Sequence, residues 1–332
     1  MKKNNFHRAI LAALGLCTVI VVIAFQNIII DFFFPSLPRL TTDFSPMYLA
    51  RELRAYARER GAAIFFGDSV LWGYRLESND TALALLAREG CRCRNLAFKS
   101  GNPANDYLLS RLLLESHVNP GVVVLEINQA VLNQADSEYQ TVHPAIWSLA
   151  HQYLTRRERL MLTPPVAADG RWANLERIAS SVSLLYAMRS DLHAMLYGDV
   201  PPPPRLRITP ELFEGTYDLS PLALSNVGVH FLVETAHALH QAGVPVLAFH
   251  TPVNHALLHS YIDNVQYRSN KTFLTHELLA RGASVLDLDS AFPSNAFLDE
   301  THLTPGGQNR LARILAHALH HYSVQARVNL AR

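Results

Sequence analysis

The sequence predicts an α/β protein of three layers, α/β/α, built on a five-stranded parallel sheet and preceded by one transmembrane helix. The runs 62–66, 121–127 and 244–250 are almost wholly apolar, as strands buried on both faces are. Between such runs lie stretches with helical spacing of apolar residues, and strands alternating with helices make a parallel sheet covered on both sides. Residues 9–30 contain no Asp, Glu, Lys, Arg or His, about the length a helix needs to cross a bilayer.

Lys2, Lys3, His7 and Arg8 precede that apolar stretch, and a positive leader stays in the cytoplasm while the remainder is sent outward. A cleaved signal peptide would have a shorter apolar core, roughly 7–15 residues, ending at small side chains. Here the run continues through Phe32-Phe33-Phe34 with no Ala-x-Ala site, and Leu16 is too large to precede a lipoprotein cysteine at Cys17. The expectation is an uncleaved signal anchor over 1–34 and a Pro-containing tether over 35–46. A single domain over 47–325 would face the periplasm or exterior from a single pass of the bacterial inner membrane.

Helical spacing then runs over 48–60, followed by the strand 62–67. A helix over 79–89, with Asn79 as its cap and Gly90 as its stop, leads to a short strand at 94–98. Helix 103–117 and strand 121–127 continue the alternation. It breaks at 134–225, read as a mainly helical insertion with pieces at 143–160 and 171–197 and an extended run at Pro201-Pro202-Pro203-Pro204. Helix 227–241, strand 244–250, helix 272–280, strand 283–288 and helix 307–321 complete the order.

Lys and Arg number 29 against 28 Asp and Glu, so no basic surplus argues for nucleic acid. Three cysteines give no metal-ligand set. Cys17 lies in the apolar run, and Cys91 and Cys93 are two apart, where a disulfide is strained. No spacing of His250, His255 and His240 matches a metal-binding helix, so no cofactor and no metal are expected.

Polar residues collect at the carboxyl ends of the expected strands, where α/β sheets hold their sites. Ser69 follows Phe65-Phe66-Gly67-Asp68, Gly101 follows the second strand, Asn128 the third, and Asp299 and His302 the last. A serine nucleophile needs a base, a group that orients the base, and donors for the oxyanion. His302 suits the base, Asp299 the orienter with Glu300 as a competitor, and the N–H groups of Ser69 and Gly101 with the Asn128 side chain suit the oxyanion hole. Asp68 reads as a hydrogen-bonding residue of the turn, Trp72 as core, and Arg156, Arg157 and Arg159 as a solvated helix face.

Phe66-Gly67-Asp68-Ser69, the stretch from Asn95 to Gly101, and Asp299-Glu300-Thr301-His302 together resemble the blocks of the SGNH (GDSL-type) hydrolases. The third block of that family reads Gly-x-Asn-Asp, whereas this chain has Glu126-Ile127-Asn128-Gln129. The amino-terminal anchor, the Thr251-Pro252-Val253-Asn254 run and Thr301 to Gly307 are also similar to the D-alanyl transfer proteins of teichoic acid biosynthesis and related envelope acyltransferase partners. These resemblances span roughly 60–130 and 225–320. They imply a serine esterase or acyltransferase acting on acyl esters of cell-envelope glycans or polymers through an acyl-enzyme at Ser69. A multispanning membrane acyltransferase is the implied partner, and a catalytically silent anchored scaffold is the rival reading.

Overall fold

Successive side chains of a strand point to opposite faces, and every central strand here feeds two separate cores. Ile64 and Phe66, Val123 and Leu125, and Val246 and Ala248 enter one. Ala63 and Phe65, Val122 and Val124, and Leu247 and Phe249 enter the other. That double burial is why the strands read as unbroken apolar runs. The computed structural model describes residues 2–33, 39–132, 140–165, 175–176, 178–180, 183–198 and 219–330.

In chain order the helices and strands are α1 (Lys2–Phe33), α2 (Pro46–Ala57), β1 (Ala63–Phe66), α3 (Ser69–Trp72), α4 (Ala82–Arg88), β2 (Cys93–Asn95), α5 (Pro103–Glu115) and β3 (Val122–Ile127). There follow α6 (Pro144–Ala150), α7 (Arg156–Met161), α8 (Leu184–Ala187), α9 (Arg189–Tyr197) and α10 (Val227–Gln241). The chain continues with β4 (Val246–His250), α11 (His255–Ile262), α12 (Val265–Ala280), β5 (Ala283–Asp287) and α13 (Pro305–Leu330). The sheet has five strands in the order β2-β1-β3-β4-β5. All are parallel. Side chains of α2, α5, α10 and α12 fill one core, and those of α4 and α13 the other, so the α/β/α expectation holds.

Among the described residues no helix is long and apolar enough to cross a membrane, and the transmembrane reading of 9–30 rests on the sequence alone. The carboxyl end of α1 is packed on the domain. Ile30 is fully buried, and Gln26 Oε1 accepts the N–H of Leu184 at 2.7 Å, the start of α8. Residues 39–45, expected as part of a tether, also belong to the packed structure. Arg39 donates to the carbonyls of Trp72 (3.0 Å), Gly73 (2.9 Å) and Leu76 (3.1 Å), just past α3. Trp72 Nε1 in turn donates to Leu40 O at 2.7 Å.

Several boundaries differ from the sequence reading. The cap of α4 is Thr81, whose hydroxyl accepts from Ala84 N, while Asn79 lies in the preceding short turn Ser78–Asp80. The expected helix 143–160 is two helices, and α11 lies where the sequence reading assigns no element. The flanks of segment 134–225 are joined, Asn226 Nδ2 donating to Leu132 O at 3.0 Å. Pro201-Pro202-Pro203-Pro204 falls outside the described residues.

Candidate active site

With this strand order, sequence neighbours part company between β1 and β3, and such a switch point opens a crevice at the carboxyl ends of the strands. Gly67, Asp68 and Ser69 leave β1 there and Asn128 leaves β3. Asp68 caps α3 through Oδ1, which accepts Val70 N–H at 2.9 Å. Gly73, in the left-handed region at φ 84°, ends α3 after four residues. Ser69 is thus the first residue of a one-turn helix held at both ends.

Ser69 Oγ lies 2.8 Å from His302 Nε2. His302 Nδ1 lies 2.8 Å from Asp299 Oδ1 and 2.9 Å from Oδ2. Asp299 Oδ1 also accepts the N–H of His302 at 2.8 Å, and so fixes loop and imidazole together. Residues 299–302 form the loop that leads into α13, and Thr304 Oγ1 accepts Gly307 N–H at 3.1 Å in that helix's first turn. Burial pulls the His302 imidazolium down, but the hydrogen bond and charge of Asp299, with the charges of Glu300 and Asp68, hold its pKa above the ordinary value. Burial raises the Asp299 carboxyl, and His302 and the loop N–H groups more than reverse that. Glu300 does not contact the imidazole nitrogens; burial and the Asp299 charge push it up to about 7.

Asn128 Oδ1 accepts Ala130 N–H at 3.1 Å, and its Nδ2 donates to Asp68 Oδ2 at 2.7 Å. That fixes the amide with its NH2 toward the Asp68–Ser69 turn, one hydrogen still unassigned. Gly101 stands beside the turn, where an added Cβ would meet Gly67 O at 2.3 Å. Its N–H, however, donates to Phe98 O at 3.0 Å, so in this structure Gly101 allows close approach and is not an open oxyanion donor. Ser69 begins α3, and among the described residues Asn128 Nδ2 makes no hydrogen bond beyond that to Asp68 Oδ2. Next to this corner Thr141 O accepts from Asn102 Nδ2 at 2.9 Å.

Sequence reasoning missed three contributors. Glu126 is buried with Oε2 accepting Asp68 N–H at 3.0 Å and Oε1 accepting the Thr251 hydroxyl at 3.1 Å. Its departure from the family pattern was the available signal. Asp106, also buried, borders a cavity of about 10 Å³, room for roughly one water, together with Asp68, Glu126 and Asn128. Burial, then the charge of Asp68, pushes both Glu126 and Asp106 well above the usual carboxylate range. Tyr74 sets its ring 4.7 Å from that of His302.

Among the described residues Asp299, Glu300 and His302 are the group of acids and histidines close enough to share a metal ion. Both ring nitrogens of His302 are already hydrogen-bonded, to Ser69 and to Asp299, so the arrangement suits proton transfer better than ligation. His250 bonds Thr275 Oγ1 at 2.8 Å, and burial pulls its pKa to about 4. All three cysteines are free thiols. The chain matches no family model and no curated protein.

Proposed function

We propose that this chain is a serine esterase or O-acyltransferase of the SGNH type, working on acyl esters of cell-envelope glycans or polymers. The observation that supports it most is the Ser69–His302–Asp299 chain of hydrogen bonds, with 2.8 Å at each link. Neutral His302 Nε2 takes the Ser69 proton as Oγ attacks the acyl carbonyl. The Ser69 N–H and Asn128 Nδ2–H stabilise the oxyanion. Collapse of the tetrahedral adduct breaks the bond to the alcohol, which leaves with the proton now on His302, and the acyl group stays on Ser69. Water or a sugar hydroxyl then attacks the acyl-enzyme, its proton passing to His302 and back to Ser69. Hydrolysis and transfer share every residue and differ in the acceptor.

We further propose that α1 anchors the domain outside the inner membrane. The support is the uncharged stretch 9–30 behind Lys2, Lys3 and Arg8. The rival reading, an anchored scaffold partnering a multispanning acyltransferase, draws on the engagement of Gly101 N–H with Phe98 O. Co-purification of that partner with an S69A variant that keeps full acyl modification would favour the scaffold; loss of modification in S69A favours the enzyme.

A further inference from the structure

Two cations lean on the aromatic ring that faces the catalytic imidazole. Arg75 Cζ lies 5.2 Å from the centre of the Tyr74 ring, and Lys99 Nζ lies 5.9 Å from it. Tyr74 itself is 4.7 Å from His302, ring to ring. Arg75 is in the turn just after α3, and Lys99 is two residues before Gly101, so both sit at the carboxyl end of the sheet beside Ser69. Among the described residues no carboxylate pairs with either, and Arg75 Nε is buried without a hydrogen-bond partner. Arg75 (φ 63°) and its neighbour in the other loop, Ser100 (φ 62°), hold left-handed backbone, which a non-glycine residue adopts at a cost.

An unpaired guanidinium and ammonium set against one aromatic ring are built to receive an anion: Arg offers a planar fork for carboxylate or phosphate, Lys a compact charge. Three acids at this end of the sheet are engaged elsewhere. Asp68 is hydrogen-bonded to Val70 N–H and Asn128, Glu126 to Asp68 N–H and Thr251, and Asp299 to His302. A neutral ester would leave both cations at the mouth idle.

We infer that the site selects a substrate carrying a negative charge, a carboxylate or phosphate, on the alcohol or acceptor side of the ester, held by Arg75 and Lys99 across the Tyr74 ring. The inference rests on the esterase reading above and names the substrate class of the same site. The Tyr74 ring and Ser69 Oγ both lie against His302, and as general acid the imidazole faces the departing or incoming oxygen. The cations therefore belong to the alcohol side of the ester, not the acyl side.

The test uses the full-length protein in lipid nanodiscs and three acetyl esters: 4-acetoxybenzoate, 4-acetoxyphenyl phosphate and the neutral 4-acetoxybenzamide. The readout is the ratio of kcat/KM for each anionic ester to that for the neutral one. In R75E/K99E that ratio is expected to fall by about tenfold or more, as like charges meet, with R75Q/K99Q intermediate. Raising salt to 0.5 M is expected to shrink the wild-type ratio through screening. Whichever anion gives the larger ratio identifies carboxylate or phosphate as the preferred group. Ratios that do not move in either variant or with salt overturn the inference while leaving esterase activity standing. If no ester turns over and Ser69 takes no fluorophosphonate, the esterase reading falls, and the inference with it.

Discussion

Glu126 shows how one buried side chain can fix the turn that carries Ser69. It accepts Asp68 N–H on one oxygen and meets the Thr251 hydroxyl with the other, tying the end of β1 to the end of β4. Burial and the Asp68 charge favour its neutral form, and a neutral acid can make both contacts. Glutamine can as well. E126Q is therefore expected to react with a fluorophosphonate within about threefold of the wild-type rate. E126A leaves a buried N–H without an acceptor, costing ~1–3 kcal/mol, and should slow the reaction and lower the melting temperature. Equal damage from E126Q and E126A would mean the ionised carboxylate is required. Gly67 belongs to the same arrangement, since a Cβ there would come within 2.3 Å of Glu126 Oε2. At His302 the sign of the pH dependence is fixed by its raised pKa. The base must be neutral, so activity is lost as pH falls through a value above the ordinary ~6.5. D299N removes the largest raising influence and leaves burial, so the acid limb of kcat/KM should move to lower pH while kcat falls by roughly 10⁴. A limb unmoved in D299N but shifted in E300Q would transfer it to Glu300, whose carboxyl burial and the Asp299 charge push up to about 7.

At the scale of elements, α10 is tied to the residues just past β3 by its cap. Asn226 Oδ1 accepts Val229 N–H at 3.0 Å while Nδ2 bonds Leu132 O. N226A should cost ~1–2 kcal/mol, read as a fall in melting temperature with a wild-type labelling rate at lower temperature. Strands were the legible elements, because double burial strips them of polar residues. Helices were less so where burial uses polar or aromatic side chains. The buried positions of α12 are Tyr267, Asn270, Leu274 and Leu278, and the sequence reading caught only its second half, 272–280. The cap of α4 went to Thr81 because its backbone is extended, as an N-cap requires, and because Gln308 Oε1 accepts Ala82 N–H from a helix more than two hundred residues away. No local spacing announces that partner. Ser69, Asp299 and His302 were legible since their roles depend on short spacing and on strand ends. The parts of Glu126, Asp106 and Tyr74 arise from tertiary contact, and the engagement of Gly101 N–H arises from the conformation of one turn.

For the molecule as a whole, the strand order brings residues from both ends of the chain to one crevice: Ser69 from β1, Asn128 from β3 and the 299–302 loop beyond β5. The same architecture joins that crevice to α1. Ile30 of α1 shares a core with Leu40, Phe44, Tyr48 and Leu184, and Arg39 grips the carbonyls behind the nucleophile helix. The domain is thus seated on the end of its helix. A reporter that is active only in the periplasm, fused to the carboxyl end, is expected to be active; a silent one would reverse the orientation proposed for the domain. The most direct measurement of the central claim is fluorophosphonate labelling of the full-length protein in membranes, with the modified peptide mapped by mass. One label at Ser69 is expected, absent in S69A and slowed at least ~10³-fold in H302A. A folded wild type that takes no label, or takes it at another residue, would contradict the assignment of Ser69 as nucleophile.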